Sequence, residues 1–135
     1  MNEEQRMLYS SLVSIRNIDL TIRWSVNQLF FLIHSAGLSL AVTQLKSPSL
    51  LYFLVCPIGI LASILWFVIT LRMRKWLKYW NSKLAELEET DTQMVRIFGP
   101  ELTEIQKGVT ISHALLVFIA LLTIVWCILW VGTLL

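Results

Sequence analysis

The clearest absence in this 135-residue sequence is charge, because three long segments contain no Asp, Glu, Lys or Arg. They cover residues 28–45, 50–71 and 111–135. A helix needs about 20 apolar residues to cross the roughly 30 Å hydrocarbon core of a bilayer, and the second and third segments reach that length while the first approaches it. The chain is 56% hydrophobic with a mean hydropathy of +0.69. This composition excludes an ordinary soluble domain and predicts several membrane spans.

Motifs for catalysis and for metal or cofactor binding are also lacking. The sequence has no Cys-x-x-Cys, no His-x-x-x-His, no glycine-rich phosphate loop and no Gly-x-Ser-x-Gly turn. Its two cysteines, Cys56 and Cys127, fall in apolar segments, where a thiol behaves as a small hydrophobic group. About 70 residues lie outside those segments, too few for a separate soluble core. We therefore predict a protein that is not an enzyme and binds no metal, cofactor or nucleic acid.

Basic residues are scarce between the first two apolar segments and absent after residue 107. Three precede the first segment, seven lie between residues 72 and 107, and only Lys46 lies in the intervening turn. By the positive-inside rule, the N-terminus and residues 72–108 are cytoplasmic, while the Lys46 turn and the C-terminus face outward. The charged first 24 residues lack a continuous apolar core, so we expect no signal peptide.

The apolar periodicity predicts an all-α, multi-pass membrane protein with a single membrane domain over residues 1–135. Residues 1–24 form an amphipathic cytoplasmic helix, which either lies on the membrane or continues into the first span. The spans are predicted at 25–45, 50–71 and 109–135, with a cytoplasmic helical segment at 72–108. Pro57 predicts a kink in the second span, and Gly99-Pro100 predicts a helix break.

Small and polar side chains give each span a face suited to helix packing, which in lipid relies on close approach and hydrogen bonds. The first span is the most polar, so we expect it to contact other subunits or water. His34 is the one titratable group well inside a span, and it either bonds a neighbouring helix or takes part in proton movement. Candidates for helix packing or for lining a pore are Asn27, His34, Ser35, Ser39, Gly59 and Ser63.

The segment that leaves the second span combines cations with an apolar stripe. Four cations at headgroup level predict contact with anionic lipid. The stripe describes one face of a continuing helix, and it predicts a surface for other subunits or for a protein partner. The cations are Arg72, Arg74, Lys75 and Lys78, and the stripe is Trp76, Trp80, Leu84 and Leu87.

Two stretches resemble the RipA-like family of small octameric bacterial membrane proteins. Residues 23–32 (RWSVNQLFFL) with Ser35-Ala36 are similar to that family's first span. Later residues resemble its segment leaving the second span: Leu65, Trp66, Phe67, Trp76, Trp80, Asn81, Lys83, Leu84, Leu87 and Glu88. An accessory membrane protein of RNA-guided ribonuclease defence systems is similar to the members of this family. The resemblance implies a ring-shaped oligomer with a helical hairpin in a bacterial inner membrane, and a pore that opens under stress or phage attack. The third span is a departure, because the family ends in a cytoplasmic part.

These observations favour a self-associating inner-membrane protein that perturbs or permeabilises the membrane. The alternative is an accessory or immunity subunit that binds a larger membrane complex through the first helix and residues 72–108. A small transporter would need a charged or discontinuous site at mid-membrane, of which Pro57 and Gly59 give only a hint. A phage holin has a similar three-span layout, but its usual basic cytoplasmic tail is missing here.

Overall fold

The computed structural model describes residues 3–44, 50–89 and 111–132, and every regular element in these ranges is an α-helix. The helices are α1 (Glu3–Thr43), α2 (Leu50–Glu89) and α3 (Ile111–Val131). Each is long and apolar enough to cross a membrane. This confirms the predicted all-α fold with three spans. The turn around Lys46 and the break at Gly99-Pro100 lie outside the described residues.

Two of the helices are about twice as long as a span requires. At 1.5 Å per residue, the 41 residues of α1 extend over about 60 Å. The N-terminal amphipathic segment is therefore not a separate helix on the membrane surface. It continues into the first span, which is the second of the two alternatives predicted from the sequence. The 40-residue α2 likewise continues through Pro57 and through the basic cluster to Glu89.

The buried residues of α2 recur every three or four positions from Tyr52 to Thr70, and the same face is buried again at Leu84 and Glu88. This average spacing of 3.5 keeps one face turned toward a neighbouring helix, as in a coiled coil. In α1, Phe30, His34 and Ala41 are buried on the same principle. The buried positions of α2 are Tyr52, Cys56, Gly59, Ser63, Trp66, Thr70, Leu84 and Glu88. Because α2 packs against both α1 and α3, it is the central helix of the bundle.

The packing inside the bundle is organised around two tryptophans. Trp66 of α2 is fully buried with Phe30 and Ile119. Trp126 of α3 is buried with Tyr52 and other residues nearer the opposite end of the spans. The Tyr52 hydroxyl donates a hydrogen bond to the Leu129 carbonyl at 3.2 Å, which adds a polar tie between α2 and α3.

Polar contacts hold α1 against α2 beyond the spans. The Tyr9 hydroxyl donates to Glu88 Oε1 at 2.9 Å, and Arg16 Nε donates to Asn81 Oδ1 at 2.9 Å. Glu88 is only 1% exposed, and Leu84 one turn earlier is fully buried. The two helices thus continue as a paired stalk, which we define as residues 3–22 of α1 with 72–89 of α2.

At Gly59, α2 and α3 approach each other closely. A methyl group at this position would overlap the indole ring of Trp126, which packs directly on the Gly59 backbone. We expect Gly59→Ala to destabilise the bundle by about 1–3 kcal/mol, because a rigid ring must move. Thermal unfolding of the purified protein in detergent measures the loss.

Gly37→Ala is the matched control for Gly59→Ala. A methyl group at Gly37 would lie 3.1 Å from Trp126 Cη2, at the edge of the same ring. The Trp126 ring therefore has to move less than it does for Gly59→Ala. The cost of this movement is offset by the higher helix propensity of alanine, which favours the helix by about 1 kcal/mol over glycine. We therefore expect Gly37→Ala to leave the stability nearly unchanged. Equal losses of stability for the two variants would contradict the close packing of the Trp126 ring on Gly59.

The Tyr9–Glu88 contact predicts a pH dependence of the stalk. Burial, the hydrogen bond to Glu88 and the charge of Glu88 together raise the pKa of Tyr9 to about 12 from its ordinary value of 10.0. The protonated phenol stabilises the folded state fully below pH 10.0, and this contribution is lost as the pH rises through about 12. Tyrosinate absorbance and helical circular dichroism, measured from neutral to alkaline pH, follow the transition.

Tyr9→Phe removes the phenol, so the variant is expected to lose this part of the alkaline transition and to unfold more readily at neutral pH. The neutral-pH loss is about 1–3 kcal/mol, since the buried Glu88 carboxylate loses a donor. An alkaline transition identical in the two proteins would show that Tyr9 does not contribute.

Candidate functional site

Two of the predicted polar residues of α1 point into the bundle. Trp66 Nε1 donates to Asn27 Oδ1 at 2.9 Å, and Trp126 Nε1 donates to His34 Nδ1 at 3.0 Å. A buried indole N–H requires an acceptor, and α1 supplies one to each of the other two helices. Asn27 and His34 therefore lie between helices of one chain rather than on its outer surface.

The imidazole of His34 is enclosed by aromatic rings and only 3% exposed. It stacks on Trp66 with 5.6 Å between ring centroids and lies 6.2 Å from the Trp126 ring. Because an indole N–H can only donate, His34 Nδ1 must accept, which places the proton of the neutral ring on Nε2. Nε2 is buried and has no hydrogen-bond partner among the described residues.

The predicted packing residues of α2 lie in the same interior. Gly59 and Ser63 are buried, and Ser63 Oγ donates to the Gly59 carbonyl at 2.9 Å. The hydroxyl is therefore satisfied within its own helix, and the small side chains leave room for Trp126. Both residues therefore lie inside the bundle of a single chain.

Ser35 and Ser39 lie on the opposite side of α1 and are exposed. At 100° per residue they share one helix face with Gln28 and Thr43, which are exposed as well. Ser35 and Thr43 donate to carbonyls of their own helix. Gln28 and Ser39 make no hydrogen bond within the described part of the chain.

The polar face extends through the stalk half of α1, which the sequence reasoning missed. We define the α1 polar face as Ser10, Ser14, Asn17, Thr21, Ser25, Gln28, Ser35, Ser39 and Thr43, all of which are exposed. Their spacing of three, four and seven is the signal in the sequence, but the apolar residues between them recur at helical spacing as well and predicted an amphipathic helix. Beside this face, Ile15, Ile18 and Ile22 are 43–58% exposed.

The structure divides the apolar stripe predicted for the cytoplasmic segment. Leu84 is buried between α1 and α2, whereas Trp76 is 48% exposed. Trp80 and Leu87 are half-buried at the edge of this contact. Trp76 forms an aromatic cluster with Trp80 and Tyr79, with ring centroids 5.2–6.1 Å apart. The cluster leaves aromatic surface free on the outside of the stalk.

The predicted lipid-contacting cations occupy different settings. Arg72, Lys75 and Lys78 are exposed on α2, whereas Arg74 is half-buried. Arg74 Nη2 donates to His113 Nε2 at 3.0 Å, on α3. Arg23 of α1, which was not predicted as a site residue, donates to Ser112 Oγ at 2.6 Å.

Electrostatics at Arg23 differ from those of an exposed cation. Burial and, secondly, the neighbouring Arg74 guanidinium lower the pKa of Arg23, while Asp19 opposes them. Two guanidinium groups therefore share one end of the bundle with neutral hydrogen-bond partners. In residues 3–44, 50–89 and 111–132, no group of three or more His, Cys, Asp or Glu side chains could hold a metal ion.

The His34–Trp126 bond gives a test of the interior arrangement. His34→Leu leaves the buried indole N–H without an acceptor, so we expect a loss of about 1–3 kcal/mol in unfolding free energy. His34→Gln retains an acceptor and should lose less. A double-mutant cycle of His34→Leu with Trp126→Phe, followed by thermal unfolding in detergent, isolates the coupling. Additive losses would show that the bond contributes nothing.

Comparison with known proteins assigns the chain to a family. The model of the octameric membrane protein family (8xMP) matches residues 6–135, which is nearly the whole sequence. No match was found among curated proteins or among solved structures. The matched residues include α3, so the expectation that the third span departs from the family is wrong. The resemblance to small octameric membrane proteins is confirmed, and the chain belongs to the octameric membrane protein family.

Proposed function

We propose that the protein is a non-enzymatic homo-oligomer of a bacterial inner membrane that permeabilises or perturbs the membrane as a stress or anti-phage effector. Membership of an octameric family supports self-association. The observation that carries the proposal is the α1 polar face, which points directly away from the residues that α1 buries against its own chain. In the assembly, this face lies at the boundary between subunits and lines a water-filled path.

The strongest energetic reason for placing the α1 polar face against protein or water is Gln28. Its side-chain amide is exposed on a spanning helix and has no partner in the described part of the chain. Moving an amide into hydrocarbon without a hydrogen bond costs several kcal/mol, roughly 4–8 on a cyclohexane scale. Serine and threonine hydroxyls avoid this cost by bonding their own helix, as Ser35 does. Protein or water must therefore cover the Gln28 amide.

The stalk half of α1 supports the same arrangement. Ile15, Ile18 and Ile22 are about half exposed on a part of the helix that extends beyond the span. A row of exposed isoleucines beside a polar face requires a partner surface. A second copy of the chain fits, because it brings an identical helix of the same length.

A ring of identical subunits needs two different surfaces that fit each other. A groove of about 760 Å³ between α2 and α3 offers the second surface. It is lined by Phe67 and by the smaller residues Ala120, Thr123 and Cys127. We propose that it receives the apolar flank of α1 from the next copy, which includes Ile33.

Cys127 allows this contact to be tested without a new reporter, because the thiol is exposed and lies in the groove. Ile33→Cys or Ala36→Cys should form a disulfide with Cys127 of the next copy, giving dimers and higher ladders on non-reducing gels. The same variants combined with Cys127→Ser serve as the control. Absence of ladders at both positions, in a protein of octameric mass, would rule out this docking arrangement.

The proposed water-filled path is tested by measuring whether water reaches the α1 polar face. In a Cys127→Ser background, Ser35→Cys and Ser39→Cys should react with a charged thiol reagent about tenfold or more faster than Leu40→Cys, because the thiolate forms only in water. Leu40 is exposed on the neighbouring flank. Equal rates would exclude a water path on this face, and a monomer in detergent would exclude self-association.

Expression should dissipate the membrane potential if the path conducts ions. We expect the double variant Gln28→Leu and Ser39→Leu to retain the potential, since the polar lining is lost. Ser11→Leu, which is exposed but lies outside the polar face, is the matched control. An intact potential with the unaltered protein, in both resting and phage-infected cells, would contradict the effector function.

The accessory-subunit alternative rests on the aromatic cluster of the stalk. Trp76 and Tyr79 expose about half of their side chains, and exposed aromatic residues are typical of protein interfaces. Affinity purification would favour this function if a foreign membrane protein copurified in stoichiometric amount and was lost with Trp76→Ala. A pure homo-oligomer would count against it.

A further inference from the structure

A second groove lies between α1 and α3 at the end of the bundle that carries the arginines. Both helices pack on α2, and the space between them measures about 520 Å³. This is within the range of roughly 300–1,000 Å³ that is typical of sites for small molecules. Its inner part is lined by Phe31, Leu115 and Phe118, and its mouth by Arg23 and Ser112. The groove is therefore apolar along its floor and cationic at one end.

Positive charge is concentrated at this end of the bundle, where Arg23 lines the mouth and Arg74 lies close enough to repel it without lining the groove. Arg23 donates to the Ser112 hydroxyl and Arg74 to the His113 ring, and both acceptors are uncharged groups. Among the described residues, neither guanidinium has a carboxylate at ion-pair distance, although Asp19 acts on Arg23 from one turn away. Two arginines that are half-buried and repel each other favour a bound anion.

The depth of the groove identifies the kind of anion. The charge-free segments begin five residues after Arg23 on α1 and one residue before Ser112 on α3. Trp24 at the mouth is 64% exposed, as expected for an aromatic residue anchored at the membrane interface. The mouth thus lies at the level of lipid phosphates, and the apolar floor runs alongside the acyl chains.

We infer that this groove is a binding site for one anionic phospholipid per chain. Its phosphate accepts hydrogen bonds from the Arg23 guanidinium and from Ser112, and the neighbouring positive charge of Arg74 attracts it further. One acyl chain lies along Phe31, Leu115 and Phe118. The site differs from diffuse attraction of headgroups to Arg72, Lys75 and Lys78, because it combines a defined anion position with a shaped apolar channel. It does not depend on whether the oligomer conducts ions.

Native mass spectrometry of the full-length oligomer, purified in detergent and delipidated, provides the test. Phosphatidylglycerol is titrated against phosphatidylcholine, and glycerol phosphate is the headgroup-only arm. The unaltered protein should retain one phosphatidylglycerol per chain and bind it about tenfold or more tightly than phosphatidylcholine, because a bidentate charge-assisted contact is lost with the zwitterionic lipid.

The variants separate the charged mouth from the apolar floor. Arg23→Gln and Arg74→Gln should each weaken phosphatidylglycerol binding about tenfold or more. Lys75→Gln and Lys78→Gln remove the same charge from exposed positions and should change it about threefold or less. Ala114→Trp fills the groove without changing charge and should weaken binding as much as loss of an arginine.

Each other outcome overturns the inference. Equal losses for the lysine and arginine variants would show diffuse headgroup attraction. Binding of glycerol phosphate as tight as that of the lipid, or full binding by Ala114→Trp, would show a free-anion site with no acyl channel. If Arg23→Gln fails to assemble, Arg23→Lys replaces it, because lysine keeps the positive charge. Phosphatidylglycerol binding to this variant must still fall, since a single ammonium group cannot form the bidentate contact.

Discussion

One side chain of α3, the indole of Trp126, contacts both of the other helices. Its ring packs on the backbone of Gly59 in α2 and approaches Gly37 in α1, while its N–H bonds His34. In lipid the hydrophobic effect does not drive helices together, so such close packing and paired polar groups hold the bundle. Trp66 repeats the pattern with Asn27. The polar residues of the first span are therefore divided into two sets: one hydrogen-bonded to the other helices of the chain, and one facing outward.

This division explains how far the sequence could predict the structure. Charge-free segments predicted three spans, and the alignment of small residues in the second span marked Gly59 and Ser63 as candidates for helix packing or for lining a pore; both are buried in the bundle. The partners of Asn27 and His34 could not be predicted, since they depend on the relative heights of three helices. Arg23 was missed for the same reason: its neighbours Ser112 and Arg74 are distant in sequence.

Two continuous helices, α1 and α2, connect the membrane part of the protein to the stalk. Because α1 and α2 continue unbroken past the spans, a rotation of either helix in the membrane also turns its stalk surface. Tyr9, Arg16 and the buried Leu84 keep the two stalk helices in register. The α1 polar face runs along the same rigid element. A subunit contact formed in the stalk would therefore fix the orientation of Gln28 and Ser39 within the bilayer.

The proposed lipid groove lies between α1 and α3, the two helices that are joined mainly through α2. Near the C-terminal end of α3, Trp126 joins α3 to α1, but near the N-terminal end of α3 the two helices are linked by Arg23 and Ser112 beside the groove. Arg23 and Arg74 have no carboxylate at ion-pair distance among the described residues, so their repulsion would push these ends of α1 and α2 apart, and a lipid phosphate would draw them together. Because α1 carries the polar face, occupancy of this groove by an anionic lipid would set the angle at which that face meets the neighbouring subunit.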